Sequence, residues 1–118
     1  MRRLLAQASP ATSRLSEVEV PSAFARRCRE GAVTVAARDR ALRAFAVDLA
    51  AFHLIELTEE TAGVARALLL RHPIRAGDAV QLGCCLVLQQ GLRNPVPMVA
   101  FDSGLRDAAA SEGLAIVP

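Results

Sequence analysis

Short apolar runs alternate with helix-start signals along most of this chain, and that alternation constrains the fold more than any other feature. Residues 2–8 read as one or two turns of helix ended by Pro10. Ala11-Thr12-Ser13-Arg14-Leu15 reads as a short strand. Ser16 opens Ser-Glu-Val-Glu, a capping box in which Glu19 reaches back to the first turn, and a helix runs through Arg29 to a stop at Gly31. Pro21 should bend this helix or delay its start. A second helix is expected from Thr34 to Ala51, with Ala37, Ala41, Ala44, Phe45, Asp48, Leu49 and Phe52 at helical spacing and Arg38, Asp39, Arg40 and Arg43 outward. His53–Leu57 follows as a strand, and Thr58 caps a helix from Glu59 to Arg71 that Pro73 breaks. Arg75-Ala76-Gly77-Asp78 opens the most apolar helix, running to Gln90 before a loop marked by Gly91 and Pro95. Val96–Phe101 is a strand, Asp102 caps a helix to Glu112 stopped by Gly113, and Leu114–Val117 is a final strand. Strands alternating with helices imply right-handed crossovers and a parallel sheet, hence an α/β fold. Such sheets place ligands beyond the carboxyl ends of their strands.

At 118 residues the chain matches one domain, with 53% hydrophobic and 22% charged residues supporting a packed core rather than disorder. Aromatics are 3%, with no Trp or Tyr, which excludes functions built on aromatic stacking. The net charge of +2 excludes a strongly basic nucleic-acid arm but not a local patch. All 14 cations are Arg. Arg forks suit phosphate or carboxylate, in RNA or an acidic peptide, while the codon usage of a GC-rich genome produces the same bias. Cys28, Cys84 and Cys85 form neither a disulfide framework nor a metal-ligand spacing. They read as reduced core residues of a cytoplasmic protein. The opening Met-Arg-Arg-Leu-Leu-Ala resembles a signal n-region, but its apolar run stops by Gln7. It is too short for a membrane span.

The acids are the candidate chemistry. Glu17 and Glu19 follow the first strand, Asp78 opens the apolar helix, and Asp102 directly follows the strand 96–101. A parallel sheet would converge residues at its strand ends, and clustered carboxylates favour a hard cation such as Mg²⁺ or Mn²⁺, which activates water against a phosphodiester. The ordinary alternative is that Glu19 completes a capping box and that Asp78 and Asp102 are plain N-caps. His53 and His72 lack a Ser, Cys or Asp partner nearby in the sequence, so surface or cap roles are expected. Gly77 has no glycine-rich companions to make a phosphate loop. Cys84 has no feature of a catalytic thiol beyond its presence.

Thr12-Ser13-Arg14-Leu15-Ser16-Glu17-Val18-Glu19-Val20, followed by Ser22-Ala23-Phe24-Ala25-Arg26-Arg27, resembles the second acidic motif of PIN-domain proteins. Arg75-Ala76-Gly77-Asp78-Ala79-Val80-Gln81-Leu82 resembles their third motif and is the sharpest match. Val99-Ala100-Phe101-Asp102-Ser103-Gly104-Leu105, with Ala108 to Leu114, resembles their fourth. The resemblance covers the chain from about residue 2 to its end and is nearest to the VapC-type toxins of toxin–antitoxin pairs. It implies a three-layer α/β/α sandwich around a parallel sheet and a Mg²⁺-dependent (or Mn²⁺-dependent) endoribonuclease. Glu19, Asp78 and Asp102 would be the catalytic and metal-holding carboxylates, with Glu17 a helix-start charge. The implied partners are an RNA substrate, a cognate antitoxin protein and a second copy in a homodimer, with no membrane.

Two departures from the family pattern shape the expectations. Its first strand, ending in Asp followed by Ser or Thr, has no counterpart here, so residues 1–118 read as one PIN-like domain truncated at its N-terminus. That strand is central in the family, so its absence should leave the strands at 11–15 and 96–101 with unpaired edges, and the chain should close the gap by direct pairing, borrow a strand, or be poorly stable and prone to edge association. The family also often carries Thr or Ser two residues before its last Asp, where this chain has Ala100. Little or no nuclease activity is therefore expected, although the lineage is enzymatic. The rival reading is an inert remnant that binds a partner such as an antitoxin peptide, and a third is a helical interaction module without a site.

Overall fold

The structure is a computed structural model that describes residues 10–117, so the helix expected over 2–8 lies outside the described residues. In chain order the elements are β1 (Ala11–Ser13), α1 (Ser16–Arg29), α2 (Val35–Leu49), β2 (His53–Ile55), α3 (Glu59–Arg71), α4 (Ala76–Leu92), β3 (Met98–Val99), α5 (Ser103–Ser111) and β4 (Ile116–Val117). The fold is mixed helix and strand, dominated by its helices. Two compact units divide after Leu54.

In the first unit the chain turns from β1 into α1 on hydroxyl groups. Ser13 Oγ accepts the Leu15 amide at 3.1 Å, and Thr12 Oγ1 and Ser16 Oγ hydrogen-bond at 2.7 Å. This displaces the expected capping box. The N-cap is Leu15, already in right-handed helical geometry and without a side-chain cap, and Ser16 is the first helical residue. Pro21 does not delay the start, because α1 begins at Ser16 with Pro21 inside it. The turn after α1 passes through Gly31, whose φ of +79° favours a residue without Cβ. Thr34 caps α2 by accepting the Ala37 amide at 3.1 Å. Arg40 and Arg43 face out as expected, whereas Arg38 and Asp39 are half-buried and paired with each other at 3.0 Å. β2 pairs with β1, and His53 N–H donates to the Pro10 carbonyl at 2.9 Å.

The second unit holds the core. Among the described residues every buried apolar side chain lies at or beyond Ala65, with Leu68 of α3, Ala79 and Leu82 of α4 and Ala108 and Ala109 of α5 at its centre. The helix α3 starts where the sequence places it, Thr58 Oγ1 accepting the Thr61 amide at 3.2 Å. It packs closely on α4 because small residues face each other. A Cβ on Gly83 would lie 3.4 Å from both the Thr61 carbonyl oxygen and the Ala65 nitrogen. The helix α4 continues through Gly91 to Leu92 and ends on Arg93, which takes the left-handed conformation at φ 55°. Strands β3 and β4 pair in parallel, Met98 opposite Ile116 and Val99 opposite Val117.

The strands are shorter than their apolar runs, and side chains explain why. Val96 N–H donates to Gln89 Oε1 at 2.9 Å and Pro97 has no N–H, so the ladder opens at Met98, which donates to the Ala115 carbonyl at 2.8 Å. It closes because Arg106 Nη1 takes the Ala100 carbonyl at 2.8 Å. Leu114 N–H likewise turns back to Ala109 at 3.0 Å, removing it from the final strand. A continuous parallel sheet is not what the described residues form: there are two separate two-stranded ladders, β1 with β2 and β3 with β4. Direct pairing of β1 with β3, one of the ways to close the expected gap, is not among these ladders.

Candidate carboxylate site

The three carboxylates singled out by sequence all sit in helix-opening positions. Glu19 lies in the first turn of α1, exposed, beside Glu17, which pairs with Arg14 at 2.9 Å. Asp78 lies in the first turn of α4, half-buried, three residues after the N-cap Arg75. It is not itself the N-cap. Asp102 is the N-cap of α5, where its Oδ2 accepts the Leu105 amide at 2.9 Å. A Cβ on Gly104 would come within 3.3 Å of that Oδ2, so the glycine leaves room for the carboxylate over the helix end. Helix N-termini carry partial positive charge, so all three positions favour an anion.

Glu19 belongs to the first unit and Asp78 and Asp102 to the second, on helices α4 and α5 that touch. Among the described residues no three His, Cys, Asp or Glu side chains form a group able to hold a metal ion. Carboxylate oxygens are the right donors for Mg²⁺, but one oxygen of Asp102 is committed to its cap and a three-ligand set is not assembled among the described residues. No catalytic step can be derived through a metal from this arrangement. Ala100, noted above as offering no hydroxyl two residues before Asp102, is buried and its carbonyl accepts a hydrogen bond from Arg106.

Sequence reasoning missed a polar cluster at the ends of α3 and α5. Arg71 donates to Glu112 through Nε at 3.1 Å and Nη2 at 3.0 Å, and the His72 imidazole hydrogen-bonds Glu112 Oε2 at 2.6 Å. The hydrogen bonds from Arg71, then His72, hold the Glu112 carboxyl below the usual glutamate range. The 40 residues from His72 to Glu112 leave no local signal for this contact. It joins two helix ends and has no nucleophile in it, so its chemistry is that of a clasp. Cys84 is buried, and burial pushes the Cys85 thiol up to about 11, which leaves that group protonated and unreactive. An open groove of about 420 Å³ at the end of α4 is lined by Leu86, Gln90, Arg93 and Asn94 among others, and none of the three candidate carboxylates lines it. No helix among the described residues is long and apolar enough to cross a membrane. Compared with protein-family models, curated proteins and solved structures, the chain finds no match.

Proposed function

We propose that this chain belongs to a PIN-like, VapC-type lineage of Mg²⁺-dependent or Mn²⁺-dependent endoribonucleases and cleaves RNA weakly at best. What supports this reading is the chain order: β1 pairs with β2 and β3 with β4, Glu19 and Asp78 lie in the first turns of α1 and α4, and Asp102 follows β3. In this reading the two pairs would correspond to strands that lie on either side of the family's central first strand. Arg75–Leu82, the sharpest motif, supplies the first two turns of α4, with Asp78 at its opening and Ala79 and Leu82 in the core. Carboxylate oxygens are the donor type that Mg²⁺ and Mn²⁺ take, and Arg side chains suit the phosphates of RNA.

The weak activity in this reading follows from Ala100, which offers no hydroxyl two residues before Asp102. Loss of a supporting group around a metal typically costs 10–100-fold in affinity or activity. A second reading, an inert binding module for an antitoxin-like peptide, draws support from exposed apolar side chains of the second unit, including Leu70 at 90% and Phe101 at 68% exposure. The test is cleavage of a structured RNA with Mg²⁺ or Mn²⁺ by the chain and by Asp78→Asn and Asp102→Asn. Slow cleavage abolished by both substitutions supports the nuclease reading. Cleavage that persists unchanged in both overturns the assignment of Asp78 and Asp102, and its complete absence even at high Mn²⁺ favours the inert binding module.

A further inference from the structure

The charges of this chain are segregated. Residues 1–54 carry nine arginines against five acids, a formal +4, while residues 55–118 carry five against seven, a formal −2. The excess is concentrated at 26–43, with six arginines against Glu30 and Asp39. Arg38 is committed to Asp39. Arg26, Arg27, Arg29, Arg40 and Arg43 are exposed and make no ion pair or side-chain hydrogen bond with the described residues.

We propose that the tip of the α1–α2 hairpin is a phosphate-binding surface for single-stranded RNA. The turn over 30–34 folds the first turns of α2 back beside the last turn of α1, and the two helices pack together. Arg26, Arg27 and Arg29 occupy the last turn of α1, where a cation also complements the helix dipole. Arg40 and Arg43 sit inside α2, where no such role exists, and a spacing of three puts them on one stripe of the helix. The first turn of α2 contains no acid to offset the arginines beside it. Arg guanidinium forks take phosphate oxygens two at a time. The aromatic rings of the hairpin, Phe24 and Phe45, are half-buried rather than displayed for stacking. The surface therefore tracks the backbone charge without reading bases.

The polyanion preference rests on the charges alone; the choice of RNA over an acidic polypeptide rests on the ribonuclease reading above. The experiment measures binding of a fluorescent oligouridylate to the full chain in EDTA, where metal-dependent cleavage cannot occur, over a salt series. Five phosphate contacts give a slope of log K against log salt of about −3.5, at about −0.7 per contact on a single strand. The pair Arg40→Gln and Arg43→Gln should flatten the slope by about 1.4 and weaken binding at low salt by about tenfold, with the helical circular dichroism unchanged. The pair Arg66→Gln and Arg93→Gln, in the second unit, should leave the slope as it was. An unchanged slope in the first pair, an equal loss in the second, or tighter binding of polyglutamate through the same arginines overturns the proposal. Because the probe is read without metal, failure here leaves the cleavage assay of Asp78→Asn standing, and failure of that assay leaves this surface standing.

Discussion

Gly83 fixes how near α3 and α4 approach. With Thr61 O and Ala65 N each 3.4 Å from the place a Cβ would occupy, one methyl just fits and a longer side chain does not. Gly83→Ala should change stability by less than about 1 kcal/mol, because the gain in helix propensity offsets the tight contact. Gly83→Leu should cost about 1–3 kcal/mol by forcing the helices apart. Urea denaturation of the two variants checks both, and equal stabilities would show that the helices do not pass at this point. Arg93 is a residue of the opposite kind, a side chain held at φ 55° where glycine is favoured. Arg93→Gly should therefore raise the denaturation midpoint, by about 0.5–1 kcal/mol of stability. A lowered midpoint would mean that the Arg93 side chain contributes more to the fold than its backbone costs.

At the scale of elements, α3 and α5 are tied by Glu112. Its carboxyl is held below the usual range by hydrogen bonds from Arg71 and His72, so the folded state binds its proton less readily than the unfolded chain. The stability this contributes is fully present above the unfolded glutamate value, about 4.3, and is lost as pH falls through the lower folded value. Half of the Arg71 side chain is exposed, so solvent screening holds the contribution to about 1 kcal/mol or less. Glu112→Gln should remove that part of the acid-side slope in a series of urea midpoints between pH 3 and pH 6. A variant with the wild-type slope would place the acid sensitivity in other carboxylates.

For the molecule as a whole, burial is uneven. The buried apolar side chains of the described residues all lie at or beyond Ala65, whereas the buried residues before Leu54 are Ser13 and Ser16. Elements without buried apolar contacts open at lower free energy. Amide hydrogen exchange should find α1 and α2 exchanging through local opening well before α3 and α4, whose slowest amides report the global stability. Equal protection in both sets would mean that the hairpin is held by more than its own contacts.

Much of the element order is legible in the chain because the signals are local. Thr34, Thr58 and Asp102 cap helices with their own side chains, and Gly31 and Gly113 stop them at positive φ, each within a few residues of the position that needs it. The placement of Asp78 and Asp102 at helix openings was readable for the same reason. What tertiary structure decided are the features set by distant partners. The strand 96–101 shrank to two residues because Gln89 and Arg106 claim its backbone groups. The capping box at Ser16 gave way because Ser13 and Thr12 turn the chain first. The Glu112 clasp joins residues 40 apart in the chain. A hydrogen-bond donor satisfied from far along the chain leaves no trace in the local pattern, so the ladders, the clasp and the close passage at Gly83 are properties of the folded molecule and not of any segment.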